Sequence, residues 1–226
     1  MRFVLPRLAD DPEAPFPDPK QSDHPDGLIA IGGDLSQTRL LNAYRNGIFP
    51  WFEQHGPILW WCPSPRAVLI PGHVYIPRRL QRTLNQQRYR VTLNQAFGQV
   101  IEGCATARGE HGETWITAGM LEAYARLHQN GYAHSLEVWQ DGQLIGGIYG
   151  VAIGKIFFAE SKFHIQRDAS KVALIELMNR LEQQDYLLCD CQLWNPHLEQ
   201  FNIRMMDRSD FLRLLQHGVK QPGHFR

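Results

Sequence analysis

The sequence predicts an α+β protein in two parts: a small N-terminal domain over residues 1–62, and a larger domain over 63–226 with a mostly antiparallel mixed sheet flanked by helices. Three observations lead there. The first 36 residues are rich in Pro, Asp and Gly, which favours turns and extended chain. Residues 133–161, AHSLEVWQDGQLIGGIYGVAIGKIFFAES, alternate in polarity and carry turn signals at Asp141-Gly142 and Gly154, as three consecutive antiparallel strands would. Segments with helical apolar spacing stand on both sides of that run, so strands and helices are grouped rather than strictly alternating.

The elements follow in order. Ser36 can cap a first helix in which Leu40, Leu41 and Tyr44 recur at helical spacing and Gly47 supplies the stop. Residues 57–72, PILWWCPSPRAVLIPG, mix aromatics with prolines as a strand-rich edge or domain junction does, and the boundary is placed near Cys62. Residues 89–93, YRVTL, read as a strand; Asn94 is then the expected N-cap of a helix with Phe97, Val100, Ile101 and Cys104 on one face. Thr117 can cap the next helix, lined by Leu121, Tyr124 and Leu127 and closed by Gly131. After the three strands, Asp168 or Ser170 caps a long helix whose stripe is Leu174, Leu177, Met178 and Leu181. YLLCDCQ (186–192) returns as a strand, and Ser209 to His217 form a last helix.

The composition narrows the possibilities. A chain of 226 residues, 43% hydrophobic, can bury one substantial core, or a main domain and a small one. No run of about 18 apolar residues exists, and the opening MRFVLP is too short for a secretory signal, so the cytoplasm is the expected compartment and no membrane partner is expected. The four cysteines are too scattered for a disulfide framework; reduced core thiols are expected. Net charge is zero, yet residues 54–101 contain no Asp or Glu and hold six arginines, which leaves two readings: a docking face for a polyanion, or a solvated face without acids.

One short stretch invites chemistry. In LLCDCQ, Asp190 and Gln192 stand two apart in an apolar run. On a strand they would share a face, with Cys189 and Cys191 on the other. Asp190 could then accept a hydrogen bond from the Gln192 side-chain amide and orient its carbonyl oxygen, or the two could be ordinary polar residues on a half-exposed face.

The order of elements resembles the acyltransferase fold of the GNAT superfamily. A closer resemblance lies in six blocks: GLIAIGGDLS (27–36), AYRNGIFPWF (43–52), WWCPSPRAVL (60–69), AFGQVIEGCA (96–105), TWIT (114–117) and DCQ (190–192). In order and spacing these are similar to the leucyl/phenylalanyl-tRNA–protein transferases. The resemblance implies transfer of leucine or phenylalanine, less readily methionine, from aminoacyl-tRNA to the N-terminal Arg or Lys of an acceptor protein. That transfer marks the acceptor for N-end rule degradation. No metal or coenzyme is implied, and a monomer is expected.

Such a reaction needs an α-amine to attack an aminoacyl ester and expel a ribose hydroxyl. An amine with pKa of about 7.7–8.0 is already partly neutral, so positioning can carry much of the rate. The resemblance implies that Asp190 and Gln192 aim this amine and that Glu160 binds the acceptor's N-terminal residue. It also implies a side-chain pocket from Ile148, Phe157 and Leu177, each of which could equally be core. Trp51, Trp115 and Tyr124 correspond to aromatics near the terminal adenosine and the donor, although tryptophans are also common core anchors. Arg78 and Arg82, with Arg79 beside them, fall where relatives place a basic helix for tRNA. The chain departs from its relatives at Ala159 and Lys162, and at Asn202, where Gly is usual; Asn also tolerates a left-handed backbone, so the turn is expected to persist. Two other readings stand at this point: a tRNA-dependent ligase acting on a cell-wall peptide amine, and an RNA-binding module without catalysis.

Overall fold

The structure, a computed structural model, describes residues 5–107 and 116–226. The N-terminal part contributes β1 (Arg7–Leu8), β2 (Leu28–Gly32), α1 (Gln37–Arg45), β3 (Phe49–Pro50) and β4 (Leu59–Trp61). Its four strands form a sheet in the order β1-β2-β4-β3. As expected, the Ser36 hydroxyl accepts from the Arg39 amide to start α1, and Gly47 leaves it with φ +74. A side chain at Gly47 would also strike Phe211 and Leu212, which pack against this turn.

The rest of the chain forms β5 (Arg66–Leu69), α2 (Arg78–Asn85), β6 (Arg90–Leu93), α3 (Phe97–Thr106), α4 (Ala118–Gln129), β7 (Ala133–Gln140), β8 (Gln143–Ile153) and β9 (Ile156–His164). Then come α5 (Ala169–Gln183), β10 (Leu188–Asp190), α6 (Pro196–Glu199), β11 (Arg204–Met206) and α7 (Arg208–Gly218). Seven strands make one sheet in the order β11-β5-β10-β9-β8-β7-β6. Among them only β9 and β10 pair in parallel, so the sheet is mixed and mostly antiparallel as the sequence predicts. The three-strand run is observed with its turns at Asp141-Gly142 and Gly154, all three at positive φ. No helix among the described residues is long and apolar enough to cross a membrane.

Two apolar clusters sandwich the sheet. One joins α1, α3, α4 and α7 to the N-terminal strands through Trp60, Tyr44, Val68 and Phe158. The other lies beneath α5 and includes Leu136, Ile148, Phe157 and Leu177. Truncating a fully buried Phe or Leu in either to Ala would cost about 2–5 kcal/mol, because the cavity relaxes only partly.

Three local expectations are corrected. Asn94 does not cap α3: its backbone is left-handed (φ +58), its side-chain oxygen accepts from the Ser135 amide, and Ala96 holds the N-cap position. Glu137 of β7 instead faces the free amides of Gln95 and Ala96, each at 3.4 Å, so a carboxylate from a neighbouring strand answers the helix end. Asp168 does precede α5, but with φ +67 it makes no side-chain cap and pairs with Lys171 at 2.9 Å. Ser170 lies inside the helix. By contrast Asn202 keeps the expected turn, with φ +63.

Candidate active site

The parallel pairing of β9 with β10 ends at the couple Phe158–Asp190. Beyond it the two chains part, and a cleft of about 290 Å³ opens between residues 159–162 on one side and 191–195 on the other. Ile148, Leu174 and Leu198 add apolar wall. Trp51 and Trp194, 45% and 48% exposed, border the cleft from opposite stretches of the chain. An aliphatic wall with a few polar groups and exposed aromatics is the usual make-up of a small-molecule site.

Glu160 reaches this cleft through a β-bulge. Tyr149 pairs with Ser161 while Gly150 pairs with Ala159, which leaves Glu160 as the extra residue and re-aims its side chain. The opposite position must be glycine, since a Cβ on Gly150 would collide with the Phe158 carbonyl oxygen and the Phe157 ring. The Glu160 carboxyl then accepts from Tyr44 Oη at 2.8 Å, from Tyr124 Oη at 3.1 Å and from Gln192 Nε2 at 3.4 Å. The two phenols also hydrogen-bond to each other.

Three oxygen-to-oxygen links thus join Glu160, Tyr44 and Tyr124. With Glu160 ionised, two phenolic protons serve three links; when Glu160 is protonated its own proton supplies the third, and the carboxyl then donates to one phenol while accepting from the other. Electrostatics agrees with this count. Although one edge of the carboxyl opens on the cleft, burial pushes it up to about 7 against the pull of both tyrosines, with Asp190 adding to the rise and Arg66 opposing it. Burial and the nearby Glu160 hold both phenols well above their ordinary range, so they remain donors.

Asp190 is in a different situation. Its carboxylate is fully buried and accepts a fork from Arg66, Nε to Oδ1 at 2.8 Å and Nη2 to Oδ2 at 2.7 Å. Burial disfavours the guanidinium charge, and the Asp190 carboxylate more than offsets it. The Arg66 guanidinium lies between the rings of Phe49 and Phe211, at 4.9 and 4.6 Å from their centroids.

The third bond to Asp190 corrects an expectation. The donor from Gln192 is its backbone amide, at 3.0 Å, not its side chain. β10 ends at Asp190, and Gln192 turns left-handed with φ +58, so simple alternation does not extend to it. The side-chain amide is sent to Glu160, and its carbonyl oxygen is turned away from that carboxyl.

Of the other expected residues, Trp51 and Ile148 line the cleft, and Tyr124 reaches Glu160 from behind. Phe157 and Leu177 border no part of it and are fully buried in the core beneath α5. The reason is depth: the cleft opens only past Phe158, and on α5 Leu174, nearly one turn earlier, takes the wall position expected of Leu177. Arg78, Arg79 and Arg82 are exposed on α2, which buries only Leu80 and packs on α5. Trp115 lies outside the described residues. Tyr44, Arg66 and Trp194 were not legible as site residues, although a lone Arg in the apolar run RAVLI signals a buried ion pair. Among the described residues no group of three His, Cys, Asp or Glu side chains is placed to hold a metal.

The chain is similar to known proteins over most of its length. The family described as leucyl/phenylalanyl-tRNA protein transferase matches residues 68–216, and its N-terminal domain matches residues 33–64. A leucyl/phenylalanyl-tRNA–protein transferase of Shewanella halifaxensis is 52% identical over 89% of this chain and 86% of its own. One from Solidesulfovibrio magneticus is 49% identical over 96% of this chain and 87% of its own. Among solved structures, L-PGS from Bacillus licheniformis overlaps 83% of this chain and 71% of that chain, with TM-score 0.45 and 8% identity. The chain belongs to the leucyl/phenylalanyl-tRNA–protein transferase family of aminoacyltransferases.

Proposed function

We propose that the cleft transfers leucine or phenylalanine, and less readily methionine, from aminoacyl-tRNA to the N-terminal Arg or Lys of an acceptor protein. The observation that carries this reading is the meeting of Glu160 and Gln192 in an apolar cleft bordered by tryptophan. In the reaction the acceptor nitrogen forms a bond to the aminoacyl carbonyl carbon, the ester C–O bond breaks, and the amine's proton ends on the departing ribose oxygen. Holding the amine against the ester supplies most of what the step needs.

In this reading Glu160 receives the cationic acceptor residue, and the Gln192 carbonyl oxygen guides the amine. An amide oxygen is too weak a base to take the proton outright, so Gln192 orients. Ile148, Leu174 and Leu198 contact the donor side chain, where one methylene is worth about 1–3 kcal/mol of selectivity. Trp51 stacks on the terminal adenine. Arg78, Arg79 and Arg82 meet tRNA phosphates, contacts that are insensitive to sequence. Asp190 serves behind Gln192 rather than touching substrate. The protein works as a cytoplasmic monomer, with a division near Cys62 between a small N-terminal domain and the transferase domain.

The test is to incubate the protein with labelled Leu-tRNA and peptides beginning with Arg, Lys, Ala or acetylated Arg. Label moving only to the Arg and Lys peptides is expected. Tight, salt-sensitive tRNA binding without transfer to any amine would overturn the reading in favour of a binding module.

A further inference from the structure

We propose that Arg66 is a positioning residue for the transfer: by clamping Asp190 it fixes the backbone turn that delivers the Gln192 side chain to Glu160. The proposal rests on the functional reading above and extends it to a residue remote from substrate. Four links make the chain of contacts. Arg66 holds both Asp190 oxygens; Asp190 Oδ1 accepts from the Gln192 amide; the Gln192 backbone is left-handed; and its Nε2 reaches Glu160.

The turn needs such a clamp. A left-handed Gln is uncommon and persists where the surroundings over-determine it. β5 supplies further restraint, since Cys191 N donates to Ala67 O at 2.9 Å and Ala67 N donates to Gln192 O at 3.2 Å. The residue beside Ala67 is Arg66, whose planar fork fixes the carboxylate in two dimensions, as a lysine ammonium would not. Its place between Phe49 and Phe211 leaves the guanidinium little freedom. Stability alone is a weak reason for this pair, because a buried ion pair roughly breaks even against apolar residues of similar size.

The same groups set the charge around Glu160. Tyr44 of α1, Tyr124 of α4, Asp190 of β10, Arg66 of β5, and the cleft residues Lys162 and Cys191 are its titratable or charged surroundings. Removing the Arg66 charge therefore moves Glu160 ionisation to higher pH. Removing the Asp190 charge moves it to lower pH. These shifts follow from charge alone; what a purely structural pair would not produce is loss of the contact between the Gln192 side-chain amide and Glu160.

The experiment compares wild type with Arg66→Lys, Arg66→Met, Asp190→Asn and the double variant Arg66→Met/Asp190→Asn. Two readouts are taken: transfer kinetics against pH, and the NMR resonance of the Gln192 side-chain amide as Glu160 titrates. In wild type the amide is expected to follow Glu160. In Arg66→Met it no longer does, kcat falls at least 30-fold with KM for tRNA within twofold, and the acid limb moves up. Asp190→Asn moves that limb down; the double variant returns it near the wild-type position while kcat stays low. Should Arg66→Met not fold, Arg66→Lys decides, with about a 10-fold loss of kcat expected in a folded protein. Wild-type kcat together with an amide that still follows Glu160 in a folded Arg66 variant would overturn the proposal. A wild-type protein that transfers to no amine would instead sink the functional reading, while the amide readout still decides the role of Arg66.

Discussion

Two carboxylates stand near each other on the parallel strands β9 and β10, and they are treated oppositely. Asp190 is met by a full positive charge in a two-bond fork and is shut away from the cleft. Glu160 opens on the cleft, and the hydrogen-bond donors that meet it are neutral, two phenols and one amide. A cation bound within the protein commits a carboxylate to the architecture. Neutral donors leave the charge of Glu160 to be answered from outside, which suits a residue that receives a cationic substrate. The difference also explains why burial pushes Glu160 up to about 7.

The comparison can be broken at its structural end first. Asp190→Ala leaves the Arg66 guanidinium buried without a partner, at a cost of about 3–5 kcal/mol. For a chain of this size that lowers Tm by roughly 10 °C. At temperatures where the variant is folded, transfer is expected to fall far more than tRNA affinity; equal losses would reduce Asp190 to a general fold residue. Next comes Glu160→Gln, which should lower kcat/KM for an Arg peptide on the order of 100-fold, the value of a hydrogen bond to a charged group. Its stability should move the other way. Because Glu160 titrates higher when folded than when unfolded, ionising it destabilises the fold progressively from about pH 4.5 to about 7, and the loss is complete above that. Glu160→Gln should therefore raise Tm above about pH 7 relative to wild type, and lose that advantage near pH 4.

Smaller effects sharpen the contrast. Tyr44→Phe removes one donor to the carboxylate, so the acid limb of transfer should move to higher pH and the rate near pH 7 should fall about 5-fold. A limb that stays in place would mean that Tyr44 does not hold the Glu160 charge. The smallest expected effect is at Arg78 and Arg82. Each Ala substitution should weaken tRNA binding a few-fold and lower the salt slope by about 1, measured as log affinity against log salt concentration.

Much of the frame was legible because local rules decide it. Ser36 and Thr117 cap their helices, and the three-strand run follows its alternation and turns, as written in their neighbours. Asn94 misled because a long-range contact won, its side chain bonding across to Ser135; Asp168 misled because of a local alternative, a left-handed backbone with its carboxylate paired to Lys171 one turn on. In the site, the structure brings the expected Glu160 and Gln192 together in the cleft, but the partner of Asp190 was not legible. The signal was present in two apolar runs, RAVLI and LLCDC, each carrying one charge of opposite sign that strand burial would force together. The register that joins them, Asp190 opposite Val68, is a tertiary fact that no spacing within either run contains. Depth along β9 was equally hidden, which is why Phe157 and Leu177 fell in the core and Leu174 on the wall.

The central claim is that Glu160, held by neutral donors, is poised near neutrality while Asp190 is tied to Arg66. A ¹³C NMR titration of the glutamate side-chain carboxyls tests it directly. One carboxyl should titrate near pH 7, vanish in Glu160→Gln and shift upward in Tyr44→Phe. If every glutamate carboxyl instead titrates near the ordinary value of about 4.3, Glu160 is an unperturbed carboxylate and the account is contradicted.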